Sequence, residues 1–227
     1  MSRKNLISLL LLSLLASSCI AYKPQLSDVP LIDHKGDVRI AASAYLHPLT
    51  GFDATMSAGI SNHIAAQLHV DFHGPEIFYQ HAAIGLFFPT DNNVFETYLG
   101  IGRGNADLYI DADPANARGP YVCDFLQINY GWRHNTKNAF GFALKGGAMI
   151  PNIRWNGPAN IEGATTMSSG QDTEPHLMLE PQVFYRIGGE HVKFQIQLGY
   201  SYIRHNLPVE FPIYYPISLS TGISINL

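Results

Sequence analysis

The stretch Ile64–His73, which reads IAAQLHVDFH, decides the fold. Each even-numbered residue in it up to Phe72 is apolar, whereas the odd-numbered residues include Gln67, His69 and Asp71. Strict alternation is typical of a β-strand with two unlike faces, because successive side chains point to opposite sides. The stretch therefore predicts a strand that lies between an apolar and a polar environment.

The same alternation recurs along the chain and reaches its last residue. Residues 192–202 and 217–227 repeat it, and helical spacing is nearly absent after residue 20. Ten strands are predicted, over residues 37–47, 51–61, 64–73, 79–88, 94–104, 122–134, 138–150, 174–187, 191–204 and 214–227.

Composition excludes several classes of protein. Charged residues make up 14% of the 227 residues, against about 25% in an average soluble domain. The net charge is -4 and the basic residues form no patch, which excludes a nucleic-acid binder. No apolar run after residue 18 approaches the ~20 residues of a membrane helix, which excludes a multi-pass helical protein.

The connections between the predicted strands alternate in length. Short turns follow the even-numbered strands, whereas the longest connections, residues 105–121, 151–173 and 205–213, follow odd-numbered strands. A transmembrane barrel has this asymmetry, with short periplasmic turns and longer outer loops. We expect loop 151–173 to be a mobile outer loop, with Arg154-Trp155 as an exposed contact point, and loop 105–121 to be a solvated acidic loop.

The two faces decide between a soluble and a membrane barrel. The polar face is rich in Gly, Ser, Ala and Gln, which suits a narrow interior, and the apolar face is expected to carry Leu, Ile, Val and Phe without interruption, as lipid demands. The predicted fold class is all-β: an antiparallel up-and-down transmembrane β-barrel of about ten strands, with eight as the alternative. Two aromatic girdles are expected, one at Phe88, Phe95, Trp132, Phe140 and Tyr185, the other at Phe52, Phe72, Tyr200 and Tyr202.

The N-terminus has the features of a secretory signal. Arg3 and Lys4 precede an apolar run, Leu6–Leu15, and small residues then lead to Cys19. The predicted organisation is a signal peptide over 1–18, a lipidated linker over 19–36 with Cys19 as the acylated residue, and a barrel over 37–227. Cleavage after Ala21 without a lipid is the alternative.

The chain resembles the small outer-membrane β-barrels of Gram-negative bacteria, and more narrowly those of Bacteroidota that carry a lipoprotein-type signal. The resemblance covers residues 1–19 and 37–227 and includes the phrase ETYLGIGRG at Glu96–Gly104. It implies a location in the cell outer membrane, with the N-terminus on the periplasmic side and a lipid anchor in the periplasmic leaflet. Outer-membrane lipid is then one partner, and a protein in an outer-membrane complex is another.

A ten-stranded barrel is expected to be closed by its own side chains, since open aqueous channels appear at about sixteen strands. Acidic and basic residues are nearly balanced on the inward face, as buried charges must be paired. The predicted ionic network of the lumen consists of Arg39, Asp53, Glu96, Arg133, Lys145, Glu180, Arg186 and Lys193.

A second group of inward residues lies toward the long-loop end. Imidazole and carboxylate groups that converge there have the chemistry to hold Zn²⁺ or to act as a general base; a hydrogen-bonded cluster without a ligand is the third interpretation. The group consists of His47, Asp53, His69, Asp71, His73 and His81.

Three functions stay open at this point. The first is a non-enzymatic barrel, structural or complex-forming, that presents its outer loops. The second is an outer-membrane enzyme that acts on lipid or peptide at the outer rim, and the third is a narrow channel or metal-binding accessory. No nucleophile, metalloprotease or phosphate-loop motif occurs in the sequence, so no catalytic residue and no cofactor is predicted.

Overall fold

The structure, a computed structural model, describes residues 26–47, 51–73, 77–110, 115–134, 137–161, 164–204 and 216–227. The predicted signal peptide and Cys19 lie outside these ranges. The strands are β1 (Val38–His47), β2 (Gly51–Gly59), β3 (Ile64–Phe72), β4 (Phe78–Pro89), β5 (Asn93–Ile110), β6 (Ala115–Arg133), β7 (Asn138–Pro151), β8 (Ile153–Ile161), β9 (Ala164–Asp172), β10 (His176–Gly188), β11 (Val192–Tyr200), β12 (Tyr202–Arg204) and β13 (Ile217–Asn226).

Ten of these strands close into an antiparallel barrel. Neighbours along the chain pair from β1 to β7, β7 then pairs with β10, β10 with β11, β11 with β13, and β13 with β1. The short strand β12 continues β11 beyond Ser201 and pairs with the same strand, β10. The predicted all-β, antiparallel transmembrane barrel of ten strands is confirmed.

No helix in the described ranges is long and apolar enough to cross a membrane.

The alternation of the sequence becomes the alternation of burial. Along β2 and β10, inward residues are buried and outward residues are exposed. Most outward residues are apolar, and the large ones among them include Leu68, Leu99, Phe142, Val183 and Ile223. Exposed apolar surface of this extent faces hydrocarbon rather than water, since lipid-facing and lumen-facing residues alternate in membrane barrels.

The two ends of the barrel differ. We call the end with the short connections, residues 60–63, 90–92, 134–137 and 189–191, the turn end, and the opposite end the hairpin end. Aromatic residues lie on the outer face at the turn end, where Trp132 stacks on Phe140 with 4.7 Å between ring centroids. Phe88 lies 6.3 Å from Phe95 in the same belt.

The prediction of long loops at the hairpin end was wrong in two places. β5 and β6 stay paired up to Ile110 and Ala115, so most of loop 105–121 is a β-hairpin. Loop 151–173 contains the hairpin of β8 and β9, and β8 pairs with the upper part of β6. Trp155 is buried, so it is not the exposed contact point that the sequence suggested, whereas Arg154 is exposed. The wall is therefore tall on the side of β5, β6, β8 and β9.

The outward face is also less uniform than predicted. Three polar residues, Gln80, Arg103 and Asp124, interrupt the apolar surface on β4, β5 and β6, and all three are exposed.

Candidate functional site: the occupied lumen

Residues 26–33 lie inside the barrel and run from its middle toward the turn end; we call them the lumen segment. Leu26, Val29 and Ile32 are buried. Leu26 contacts Gly199, and Val29 packs against Ala143 and Phe184. The sequence treated residues 19–36 as a linker, whereas the structure places residues 26–33 of it in the lumen of the barrel.

One carboxylate in the lumen segment binds two arginines of the wall. Asp28 accepts hydrogen bonds from Arg39, at 3.1 Å from Nε and 3.2 Å from Nη2, and from Arg186, at 3.1 Å from Nη2. All three side chains are buried. Both guanidinium groups also donate to Oε1 of Gln195, at 2.9 Å from Arg39 and 3.2 Å from Arg186. Two buried arginines therefore share one carboxylate of the segment, and such groups are tolerated only when paired.

Glutamine side chains of the wall bind the main chain of the lumen segment. Gln67 and Gln127 both donate to the carbonyl oxygen of Asp28, each at 3.2 Å. Gln182 and Gln197 donate to the carbonyl oxygen of Ser27, and Gln182 also accepts a hydrogen bond from the Ser27 amide at 2.7 Å. The glutamines of the wall thus pair backbone groups of the lumen segment. A buried backbone group without a hydrogen-bond partner would destabilise the fold.

The lumen segment ends in a turn at the mouth of the barrel. The Ile32 amide donates to Glu96 at 2.9 Å, and Asp33 forms an ion pair with Arg133. Gly36 has a φ of 94°, a left-handed conformation that glycine adopts without strain. This turn reverses the chain, so that β1 leaves the mouth antiparallel to the segment.

The hairpin half of the lumen is filled by aromatic rings. Gly100, Gly102 and Gly104 are three successive inward residues of β5, and the rings of Phe125, Tyr79 and Tyr121 occupy the space that side chains would take there. Tyr79 and Tyr121 stack with 6.2 Å between centroids. The sequence predicted that this glycine-rich stretch allows close packing between strands, and the contacts of the three rings agree with that prediction.

A buried ion pair lies between the two halves. Lys145 Nζ is 2.5 Å from Glu180 Oε2, and Ser201 Oγ donates to the other carboxylate oxygen at 2.8 Å. Of the eight residues that were predicted to form an ionic network, Arg39, Arg186, Lys145, Glu180 and Glu96 are buried in the lumen. Arg133 is half-buried at the mouth, and Lys193 donates to the Gly189 carbonyl at 2.8 Å on the exposed rim. Asp53, the eighth residue, pairs with Asp71 in the histidine and aspartate group.

The described members of the predicted histidine and aspartate group lie close together, and all of them are buried in the lumen. His69 is directly opposite His81, and Asp53 is directly opposite Asp71. His73 forms an ion pair with Asp71, and His69 Nδ1 is 2.8 Å from Thr55 Oγ1. The side chain of His47 lies outside the described residues.

The arrangement of this group does not match a preformed metal centre. His69 and His81 stack face to face, with 4.7 Å between centroids and 16° between planes, whereas ligand nitrogens must point to one ion. In the part of the chain that the structure describes, the three metal-type donors within 4.8 Å of one another are Asp33, His34 and Asp37. Asp37 there accepts the amide hydrogens of Asp33 and His34, and Asp33 pairs with Arg133.

Sequence reasoning missed the residues that bind the lumen segment. Asp28 and the glutamines Gln67, Gln127, Gln182 and Gln197 were not among the predicted site residues. One signal was available: four of these five residues are long amides on inward positions, where small residues otherwise dominate.

Comparison with known proteins is consistent with this architecture. No protein-family model and no curated protein sequence matches the chain. The outer membrane protease OmpT from Escherichia coli has a similar solved structure, with a TM-score of 0.52 and 8% identity over 89% of this chain and 99% of that chain. The N-terminal β-barrel domain of Pseudomonas aeruginosa OprF aligns with a TM-score of 0.37 and 9% identity over 85% and 98% of the two chains. The chain has the fold of Gram-negative outer-membrane β-barrels.

Proposed function

We propose that the protein is a non-enzymatic outer-membrane barrel, a structural or interaction component whose lumen is closed and whose outer strands are presented to a partner. The observation that carries this proposal is the buried carboxylate of Asp28 between Arg39 and Arg186. A lumen that holds a segment of its own chain by ion pairs and main-chain hydrogen bonds has no room for a diffusing solute.

The proposed location is the outer membrane, with the turn end in the periplasm. Its support is the predominantly apolar outer face and the short turns at one end, which in transmembrane barrels are periplasmic. β1 and β13 then begin and end on the periplasmic side. The lumen segment precedes β1 and starts at Leu26 in the middle of the lumen, so the chain reaches the periplasmic end from inside the barrel.

We propose that the tall part of the wall is the surface that contacts a partner protein. β5, β6, β8 and β9 continue beyond the strands of the opposite side, and Arg118 and Arg154 are exposed on their outer face. Arg118 lies 3.6 Å from Asp107. A rigid sheet that rises from the membrane offers a partner protein a preformed surface, which reduces the entropy lost on binding.

Planar-bilayer recording tests the closed lumen. The purified full chain is expected to insert and to display no conductance steps, and stepwise conductance would contradict the proposal. Affinity isolation from native outer membranes tests the interaction role: a partner should be recovered with the wild type and lost with Arg118→Glu/Arg154→Glu, which alters the tall sheet and leaves the lumen unchanged.

We also propose that residues 1–18 are removed and that Cys19 is acylated. The support is the sequence pattern alone, a basic start, an apolar run and small residues before the cysteine. Mass spectrometry of the N-terminal peptide distinguishes an acylated Cys19 from cleavage after Ala21. A Cys19→Ala variant should lose the acyl mass.

One observation favours the alternative function, an enzyme at the outer rim. His73 and Asp71 form an ion pair, and a histidine oriented by a carboxylate is a common general base. In an assay on fluorescent peptide and phospholipid substrates, this alternative requires that His73→Ala and Asp53→Asn abolish turnover without unfolding the barrel. The proposed function expects no turnover by the wild type.

A further inference from the structure

The lumen segment is bound from opposite sides of the barrel. Around the barrel, β3 and β10 are five strands apart in either direction, and so are β1 and β6. The side chains that bind the segment at Ser27 and Asp28 come from these four strands and from β11. They are Arg39 on β1, Gln67 on β3, Gln127 on β6, Gln182 and Arg186 on β10, and Gln197 on β11. The segment therefore lies near the axis of the barrel at this level.

The cross-section at this level has room for one extended chain. Ten strands spaced about 4.8 Å apart and tilted by about 40° enclose a barrel roughly 20 Å wide between opposite backbones. Packed layers of β-structure lie about 10 Å apart, so a chain on the axis is one such distance from each wall. The glutamines and arginines that converge from opposite walls fill the space between. A second stretch of chain cannot pass beside Ser27 and Asp28.

Both ends of the lumen segment fix its direction. At the turn end, Asp33 pairs with Arg133. At the other end, the Leu26 amide donates to the Tyr45 hydroxyl at 3.1 Å, and Tyr45 is two residues from the hairpin end of β1. The chain that precedes Leu26 therefore reaches the segment from the hairpin side, because the route back to the turn end is filled.

The hairpin half of the lumen is crowded on one side only. Its aromatic rings come from β4 and β6, whereas β11 and β13 lie across the barrel from β4 and β5. On the side of β11 and β13 the buried inward residues near Leu26 are small. They are Gly199, Ser201, Ser218 and Ser220. A chain that continues from Leu26 toward the hairpin end thus has its passage along this side.

The preceding stretch is long enough to leave the barrel there. A strand tilted by about 40° rises roughly 2.5 Å per residue, so the end of β1 is about 5 Å above Tyr45. The wall is about 10 Å from the axis. The seven residues from Cys19 to Gln25 span up to about 23 Å when extended. Cys19 is therefore within reach of the outer surface of the wall at the end of β1, away from the tall part of the wall.

We propose that the chain is threaded outward through its own barrel: the residues before the lumen segment leave at the hairpin end, and the mature N-terminus lies on the cell surface. The proposal rests on the outer-membrane location and the periplasmic turn end proposed above. The sequence alone suggested a lipid anchor in the periplasmic leaflet. With an acylated Cys19, threading instead places the acyl chains in the outer leaflet, because that leaflet borders the hairpin end.

Labelling of single cysteines on cells tests the proposal. Three variants of the full chain are compared: Lys23→Cys, Thr166→Cys on the exposed part of β9 as the outer control, and Asp91→Cys in a turn-end connection as the periplasmic control. A membrane-impermeant maleimide is added before or after permeabilisation of the outer membrane. The wild type gives the background, since Cys123 is buried.

Lys23→Cys is expected to react on intact cells to the same extent as after permeabilisation, as Thr166→Cys does. Asp91→Cys should react only after permeabilisation. With both controls as expected, reaction of Lys23→Cys only after permeabilisation would overturn the proposal, because the residue would lie in the periplasm. Reaction in neither condition would also overturn it, because the residue would stay inside the lumen.

The two controls separate this proposal from the proposed orientation. If Asp91→Cys reacts on intact cells and Thr166→Cys does not, the orientation is wrong. Threading is then supported if Lys23→Cys follows Thr166→Cys and overturned if it follows Asp91→Cys. The heat-dependent mobility of each variant on a gel confirms that its barrel is folded.

Discussion

The two halves of the lumen are closed by different physics. In the turn half, a separate piece of chain is held by Asp28, by two arginines and by glutamines that bind its main chain. In the hairpin half, rings such as Phe125 and Tyr121 lie over inward glycines and close the space by packing. A barrel of this width can therefore be filled either by large side chains of its own wall or by an inserted segment that polar side chains of the wall bind.

The strongest test of this difference is removal of the central carboxylate. Asp28→Ala leaves Arg39 and Arg186 buried without it, and we expect a loss of about 4 kcal/mol in the free energy of unfolding, because a broken buried ion pair exposes the cost of desolvation. Urea unfolding in lipid vesicles, followed by tryptophan fluorescence, measures it. Asp33→Ala is the control, since its ion pair with Arg133 is half-buried and its loss should cost below about 1 kcal/mol. Equal losses would mean that the lumen segment is not held by charge.

The ion pair between the halves should have the next largest effect. Glu180→Ala removes the carboxylate 2.5 Å from Lys145, and we expect a loss of about 3 kcal/mol and a lower melting temperature. The double variant Glu180→Leu/Lys145→Met should recover most of the loss, since apolar residues of similar size often replace a buried pair without penalty. An unchanged melting temperature in Glu180→Ala would show that the ion pair with Lys145 does not stabilise the barrel.

The glutamines should be redundant one by one and necessary together. Gln67→Leu removes one of two hydrogen bonds to the Asp28 carbonyl, and we expect a cost of about 1 kcal/mol. Adding Gln127→Leu leaves that carbonyl without either glutamine, so the double variant should lose more than twice as much. Strict additivity in the same unfolding experiment would contradict a shared acceptor.

The smallest expected effect concerns the histidines of the hairpin half. Zinc titrated into the folded barrel should produce no heat of binding in a calorimeter, because His69 and His81 are stacked rather than aimed at one point. His69→Ala should give the same trace. A binding isotherm that disappears in His69→Ala would show that this half holds a metal ion.

The wall of the barrel could be predicted from sequence because its rule is local. Alternation in stretches such as Ile64–Phe72 fixes which side chains point inward, and the ten barrel strands were found with their order. The same rule was not followed for β8 and β9, because the Asn, Gly, Thr and Ser of residues 153–172 indicated a loop, although Ile153, Trp155 and Ile161 alternate with polar residues. These strands exist because β8 pairs with β6, a contact between distant parts of the chain.

The contents of the lumen could be predicted only in part. Arg39, Arg186, Lys145 and Glu180 were assigned to the interior from their parity alone. Their partners could not be paired from sequence, since the shear of the barrel decides which inward residues meet. The segment around Asp28 was hidden for another reason: a short extended stretch with Pro30 has the composition of a linker, and nothing local records that it lies inside a barrel.

The contacts of Asp28 also set the order in which the molecule can be completed. Its two arginines are 11 and 158 residues further along the chain, on β1 and β10, and β11 and β13 lie between these strands in the barrel. The first described residues to be synthesised are thus among the last to acquire their native contacts. The entropy cost of closing the loop between Asp28 and Arg186 arises late in folding. Asp28 links the beginning of the barrel to its end, and its ion pairs can form only when the sheet has curled far enough to close.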